Sequence, residues 1–306
     1  MRPIRIATRG SALALRQTTL MRERLAALGC DAELEVLRTE GDRSQTAPAA
    51  IGVTGIFVKE LEEALLARRC DLAVHSLKDL PTRLPEGLVL AAVPEREDPR
   101  DAVIVARGRG LAAVPAGGRL GTTSPRRVAQ LAVARPDLAC VPMRGNVDTR
   151  LRKLAEGVVD GLVLAMAGLN RLGRAEEREA LAVDLMLPAS CQGALGLECR
   201  EDDAELRAVL HALEHAASRV EVEAERAFVR ALGCGCQAPV GVLGRVGTSA
   251  LTLTAVVASL DGKQLLRGEA TGPVSDGARL GQELAASLIA RGAAEILAEA
   301  RRVLPA

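Results

Sequence analysis

The segment Asp71-Leu-Ala-Val-His-Ser-Leu-Lys-Asp79-Leu-Pro81 places a carboxylate and an ammonium at the end of an apolar run. Leu72-Ala73-Val74 reads as a buried strand. The Lys78-Asp79 pair at its carboxyl end sits where open α/β sheets keep their ligand crevice. Lysine is scarce here: among 40 basic residues it occurs only at positions 59, 78, 153 and 263. A lysine kept beside this aspartate points to a need for a compact ammonium. The competing reading is an exposed turn with an incidental ion pair. An arginine bias inherited from genomic base composition would weaken the lysine argument.

Three strand–loop–helix junctions carry arginine where helices favour acid. They are Arg9-Gly10-Ser11, Gly121-Thr122-Thr-Ser124-Pro125-Arg126-Arg127 and Arg144-Gly145-Asn146-Val-Asp-Thr-Arg150. Ser124 and Asn146 have the character of N-caps, and Pro125 that of a first helical residue. The first turn of a helix is the positive end of its dipole, so Arg126 and Arg127 oppose the usual preference. An anionic ligand on the free N–H groups and guanidinium forks would lower that cost. Pairing with surface carboxylates is the alternative at any one junction, and recurrence at three favours a ligand. A polycarboxylate or phosphate fits. No Walker-type glycine-lysine loop is present, which speaks against a nucleoside triphosphate.

Cys234 and Cys236 lie in the glycine-rich turn Gly233-Cys-Gly-Cys-Gln-Ala-Pro239. A thiolate there could serve as nucleophile, metal ligand or covalent attachment point. A buried, inert cysteine is the ordinary alternative. His211-Ala-Leu-Glu-His215 matches a zinc pattern literally and would put two imidazoles on one helix face. No third ligand is suggested, so a solvated helix face is the expectation, with no metal. His75 lies within the apolar run and reads as a core histidine.

These groups need a scaffold, and 306 residues suffice for two or three domains. Strand pattern at 4–8, helix at 13–28, strand at 32–37, and helix at 59–69 leading into the Asp79 strand imply an α/β fold with a mostly parallel sheet. Residues 40–56 are rich in small and polar types and read as a loop that closes over the site. Pro94-Glu-Arg-Glu-Asp-Pro-Arg-Asp101 and Leu187-Pro-Ala-Ser-Cys-Gln-Gly193 are breaks that bracket a second α/β unit. The chain is expected to cross into a second lobe and return, forming a ligand cleft. The domains expected are 1–94 with 194–216, 100–188, and a small α+β domain at 217–306. The last has strands at 250–259 and 264–270 joined at Asp261-Gly262, then one helix over 280–300.

Net charge is +1, so no global field attracts nucleic acid or membrane. Only Phe57 and Phe228 are aromatic, too few to stack bases. Seven cysteines without a disulfide framework suggest a reducing cytosol. Met1-Arg-Pro-Ile-Arg-Ile leads straight into a strand pattern without signal-peptide character, and the expected location is the cytoplasm.

Several segments together resemble the porphobilinogen deaminase (hydroxymethylbilane synthase) family. They are 5–11, Gly55-Ile-Phe-Val-Lys-Glu60, 73–79, Glu95-Arg-Glu-Asp-Pro-Arg-Asp101, 121–127, 144–150, Ala167-Gly-Leu-Asn-Arg-Leu-Gly173 and Gly235-Cys-Gln-Ala-Pro239, in family order. The resemblance implies two periplasmic-binding-protein-like lobes plus a third domain, in a monomer. It implies a dipyrromethane cofactor joined by a thioether to Cys236, and Asp79 as the catalytic carboxylate. It further implies that Arg9, Ser11, Ser76, Lys78, Thr122, Ser124, Arg126, Arg127, Arg144, Arg150 and Arg171 bind cofactor and substrate carboxylates or line the cleft. The substrate implied is porphobilinogen, four molecules of which join into a linear tetrapyrrole. The chain departs from the family in three places. Ala50 and Thr54 stand where lysines are frequent, with Arg43 a nearby substitute. Cys191 stands where glycine is usual, and Cys234 adds a second thiol. A two-lobed anion-binding protein would explain the arginines but gives no role to Asp79 or the Cys236 loop. A zinc hydrolase would rest on His211 and His215.

Overall fold

The computed structural model describes residues 2–37, 58–235 and 237–303. The loop at 40–56 and Cys236 lie outside the described residues. The chain forms two compact units, the first comprising described residues up to Glu97 together with Gly193–Arg219. The second comprises Asp98–Gln192 and the described residues from Val220 onward. The chain thus passes from one unit to the other within each of the two proline-containing breaks.

The first unit opens with β1 (Ile4–Arg9), α1 (Ala12–Ala27), β2 (Ala32–Leu37), α2 (Lys59–Leu66), β3 (Leu72–Ser76) and β4 (Leu88–Ala92). The second begins with β5 (Asp101–Val105), β6 (Arg119–Gly121), α3 (Pro125–Ala134), β7 (Ala139–Val141), α4 (Val147–Ala155), β8 (Gly161–Ala165), α5 (Met166–Arg171) and β9 (Glu179–Ala180). The chain returns to the first unit through β10 (Leu195–Arg200) and α6 (Ala204–His211). It then enters α7 (Ala216–Ala231) and, in the second unit, β11 (Val240–Val246), β12 (Leu251–Ala258), β13 (Leu265–Gly272), α8 (Gly277–Ala290) and α9 (Ala293–Val303).

The first sheet has the order β2-β1-β3-β10-β4 and the second β7-β6-β8-β5-β9. In each, two strand pairs are parallel and two antiparallel, so the mostly parallel sheet expected from the sequence is corrected to a mixed one. The antiparallel strands, β10 and β5, are those that follow the two breaks. A strand entering from another unit need not obey the crossover rule that makes successive βα strands parallel. In the first unit β3 is buried on both faces. Leu72 and Val74 pack with Ile6, Met21, Leu25 and Leu197, and Ala73 packs on the opposite side with Leu61, Ala64 and Leu65 of α2. Asp71, just before β3, is held by Arg5 and Arg200 at 3.0 and 3.2 Å. Burial would raise its pKa, but the hydrogen bonds from Arg5 and Arg200 hold the carboxyl well below the usual range.

The third sheet is an antiparallel meander, β11-β12-β13. Its 259–264 turn follows the sequence signal: the Asp261 carboxylate accepts from Ser259 Oγ and Lys263 N, and Gly262 takes φ +72°. β11 escapes sequence reading because two glycines interrupt it. A Cβ on Gly241 would stand 2.7 Å from the Leu187 carbonyl oxygen, and one on Gly244 3.0 Å from that of Glu221. The single helix expected over 280–300 is two, broken at Gly292, whose φ of +99° ends α8 in a conformation that favours glycine. Among the described residues no helix is long and apolar enough to cross a membrane.

Phe228 of α7 is fully buried among Leu251, Leu253, Leu284 and Leu288. Phe228→Ala is expected to destabilise the chain by about 3–5 kcal/mol, measured by urea unfolding.

Candidate active site

At the carboxyl end of β3 the chain makes one 3-10 turn, Leu77–Asp79. Leu77 is buried as the anchor, which leaves Lys78 half-buried and Asp79 exposed. Arg9, the last residue of β1, Ser76 and Asp79 line one concavity of about 350 Å³ that opens to solvent. Val58, Leu61 and Val74 provide its apolar part. The Asp79 carboxylate therefore shares a partly apolar hollow with an arginine and a hydroxyl. Ser11 caps α1, its Oγ accepting from Ala14 N at 3.2 Å. Two lining residues escaped the sequence reading as site residues. Gln17 of α1 is buried and donates from Nε2 to Ser76 Oγ at 2.9 Å. His75 is buried, as expected of a core histidine, yet it too lines the concavity. A glutamine on the buried face of an otherwise ordinary helix was the one available hint.

In the second unit the helix-start arginines have an internal partner. Asp101, fully buried at the start of β5, lies 2.6 Å from Arg126 Nη1 and 2.6 Å from Arg127 Nη2. Arg126 also donates to the Leu187 carbonyl, and Arg127 to that of Val163. Gln192 Nε2 adds a bond to Asp101 Oδ1 at 3.0 Å. Burial opposes ionisation of Asp101, but the two guanidinium charges and their hydrogen bonds prevail and hold its pKa well below the usual range. The anion that sequence reading sought at this junction is thus supplied, in part, by the protein. Ser124 occupies the N-cap position with Pro125 after it, but its side chain makes no capping bond. Its backbone N–H instead donates to Thr122 Oγ1 at 3.2 Å.

The next helix start differs. Asn146 caps α4 as expected, accepting from Thr149 N at 2.9 Å. Arg150 is half-buried one turn later, its Nε on the Gly145 carbonyl at 2.8 Å. Burial and the nearby positive charge of Arg127 both lower its pKa. Asp101 is thus engaged by two guanidinium groups, and Arg150 lies close enough to Arg127 to feel its charge. Arg144 is exposed before α4, and Arg171 is the last residue of α5.

Cys236 lies outside the described residues. Cys234 is half-buried and packs against the core beneath the third sheet. Burial pushes the Cys199 thiol up to about 12 and the Cys70 thiol up to about 11, which keeps both protonated and unreactive. Cys191 takes φ +59°, where glycine rests freely and other residues are strained. Its buried position and the bond from its N–H to Glu225 Oε2 at 2.5 Å over-determine that conformation. The expected common helix face for His211 and His215 is corrected. His211 ends α6 and His215 precedes α7, so the helix breaks between them. Among the described residues no group of His, Cys, Asp and Glu is placed to hold a metal ion.

Asp101→Asn removes the buried carboxylate that balances Arg126 and Arg127, and is expected to cost about 3–5 kcal/mol at neutral pH. Because the folded pKa is depressed, the wild-type advantage is present above the unfolded pKa of about 4 and fades as pH falls below it. Urea unfolding of both proteins at pH 7 and pH 3 measures this. An equal gap at both values would remove Asp101 from the charge balance.

Residues 4–208 match the domain family described as "Porphobilinogen deaminase, dipyromethane cofactor binding domain", and residues 219–290 match "Porphobilinogen deaminase, C-terminal domain". The porphobilinogen deaminase of Desulforudis audaxviator (strain MP104C) is 52% identical over 304 residues, covering 98% of each chain. That of Syntrophobacter fumaroxidans is 46% identical over 306 residues, covering 98% of this chain and 99% of its own. Among solved structures, the chain aligns with lipoprotein Tp32 from Treponema pallidum at TM-score 0.44 and 13% identity, covering 69% of this chain and 90% of that one. It aligns with the probable amino-acid ABC transporter extracellular-binding protein ytmK from Bacillus subtilis at TM-score 0.42 and 10% identity, covering 70% and 90%. Two domain families matched in order, and relatives about half identical over nearly the whole length, show that the chain belongs to the porphobilinogen deaminase family, enzymes of tetrapyrrole biosynthesis with a dipyrromethane cofactor.

Proposed function

We propose that this chain is a cytoplasmic, monomeric transferase that deaminates porphobilinogen and joins four molecules head to tail. The primer is a dipyrromethane held by a thioether to Cys236 and left in place when water cleaves off the linear tetrapyrrole hydroxymethylbilane, whose hydroxyl comes from that water. The observation that carries this reading is the positive charge of Arg150 at the start of α4, with which no carboxylate pairs among the described residues. Arg150 is half-buried near Arg127, and Asp101 is already engaged by Arg126 and Arg127. Such a site favours an anion with several carboxylates. Porphobilinogen carries an acetate and a propionate, so a chain of pyrroles is a polyanion.

The dipyrromethane supplies a tethered pyrrole α-carbon, which makes each coupling effectively intramolecular. The residues of this chain do the rest. Arg150, Arg144 and Arg171 take up carboxylates, with Thr122 and Ser124 as hydroxyl donors. Arg126 and Arg127 act from behind, since their forks are largely spent on Asp101 and on backbone carbonyls. In the first unit Arg9, Ser11, Ser76 and Lys78 bind polar groups around Asp79. Loss of ammonia from porphobilinogen leaves an electron-poor methylene pyrrole. The Asp79 carboxylate accepts hydrogen bonds from pyrrole N–H groups and opposes the positive charge. At contact distance and an effective dielectric near 20, this amounts to about 4 kcal/mol before desolvation. The same carboxylate receives the proton lost from the attacking α-carbon after coupling and delivers it to the departing amine of the next porphobilinogen. The packing of Cys234 into the third-sheet core supports Cys236 as the attachment point.

Incubation with porphobilinogen, followed by assay of released ammonia and of linear tetrapyrrole, tests this function. The account expects four ammonia molecules per tetrapyrrole. Binding of porphobilinogen with no ammonia would support a binding protein instead. Asp79→Asn is expected to keep the fold, since Asp79 is exposed, and to lose at least about two orders of magnitude in turnover. Near-normal turnover would remove Asp79 from its role.

A further inference from the structure

Behind the Asp79 concavity lies a group of acids that the reaction as described does not use. Glu198 of β10 is fully buried, opposite Ala73 of β3 in the sheet register. Its Oε2 is 2.8 Å from His75 Nε2, with 4% of the histidine side chain and none of the glutamate exposed. Its Oε1 is buried without a hydrogen-bond partner among the described residues. Glu62, on the α2 helix that packs on this face, also has a buried, unpartnered oxygen, Oε1. His75 itself lines the concavity with Asp79, Arg9 and Ser76. The Glu198 carboxylate thus holds the buried imidazole, and the half-buried Glu62 lies close enough to feel the charge of both. A carboxylate is an acceptor only until protonated, and like charges so placed favour keeping a proton.

We propose that Glu62, His75 and Glu198 form a buried proton-holding cluster that sets the charge behind the Asp79 concavity, acting on substrate through His75. This deepens the function proposed above and rests on it. The three are positioning residues, not catalytic ones. Burial, and then the Glu198 carboxylate, push the Glu62 pKa up to about 7, with His75 opposing. The cluster therefore gains a negative charge near neutral pH. That charge adds to the field of Asp79 and favours the cation left when ammonia departs. Other charged groups on the surrounding elements are Lys59, Glu60 and Glu63 on α2, Arg5 and Arg9 on β1, Lys78 and Asp79 on the turn, and Arg200 on β10; β4 carries none. Arg200 is engaged by Asp71 and Asp203.

Glu62→Gln fixes the neutral form, and Glu62 is only half-buried, so the variant is expected to fold. At pH 6 its kcat should match wild type. At pH 8 it should be lower by on the order of tenfold, with KM unchanged. A ratio that is the same at both pH values would overturn the proposal, because a merely structural role has no such pH dependence. A second readout needs no activity. The folded pKa of Glu62 is raised, so its favourable contribution to stability is present below the unfolded value and lost as pH rises through about 7. Glu62→Gln should therefore gain stability over wild type at pH 8 and gain none at pH 4, by urea unfolding. A pH-independent difference would overturn the cluster. If porphobilinogen is not consumed at all, the proposed function fails while the unfolding comparison still decides the cluster.

Discussion

One buried carboxylate between two guanidinium groups governs the second unit. Asp101 stands at the start of β5, and Arg126 and Arg127 converge on it from the first turn of α3. Two positive charges at the positive end of a helix would be costly alone. With Asp101 they become a neutralising bridge between strand and helix, completed by Gln192 and the Leu187 and Val163 carbonyls. The first unit has a counterpart in Asp71, which ties Arg5 of β1 to Arg200 of β10. In the first unit this hub sits at the amino ends of β1 and β3, opposite the carboxyl ends that carry Arg9 and Ser76, whereas in the second the antiparallel β5 brings Asp101 beside Ala165 at the carboxyl end of β8. Breaking either hub leaves a buried charge unpaired, a larger penalty than the bridge itself contributes.

Much of this was legible because local rules decided it. Asn146 announces a cap by its side chain, and the bond to Thr149 N is present. The Asp261-Gly262 turn forms because aspartate can hold the turn and glycine can take a positive φ. The buried strand before Asp79 follows from the apolar run and ends where charge begins. What failed depended on partners far along the chain. Nothing near Arg126 points to a carboxylate 25 positions earlier, so two forks that look ready for ligand are found engaged. The direction of β5 and β10 is set by where the chain re-enters a sheet, not by their residues. The break at Gly292 interrupts a sequence that keeps its apolar period on both sides.

The candidate site shows the same division. Asp79, Ser76 and Arg9 stand together in the first unit, as their positions at strand ends suggest. His75, which reads as core, and Gln17, which the sequence reading did not single out, join them. A buried polar residue can serve packing and a cavity at once: Gln17 lies in the second turn of α1, and His75 is the last residue but one of β3. Cys191 is intelligible only with the backbone in view. The position requires φ > 0, which explains why glycine suits it and why cysteine is held by Glu225. The Arg150 guanidinium in the second unit and the Glu62–His75–Glu198 group in the first are likewise visible only once the fold brings their charges together.

The most direct test of the account is the mass of the intact, purified protein, followed by a peptide map of residues 231–239. The account predicts an excess equal to two linked pyrroles on Cys236, and further increments of one pyrrole unit when porphobilinogen is added. A protein that carries no excess and gains none with porphobilinogen would contradict it, and an excess on Cys234 would contradict the attachment site while leaving the chemistry in place.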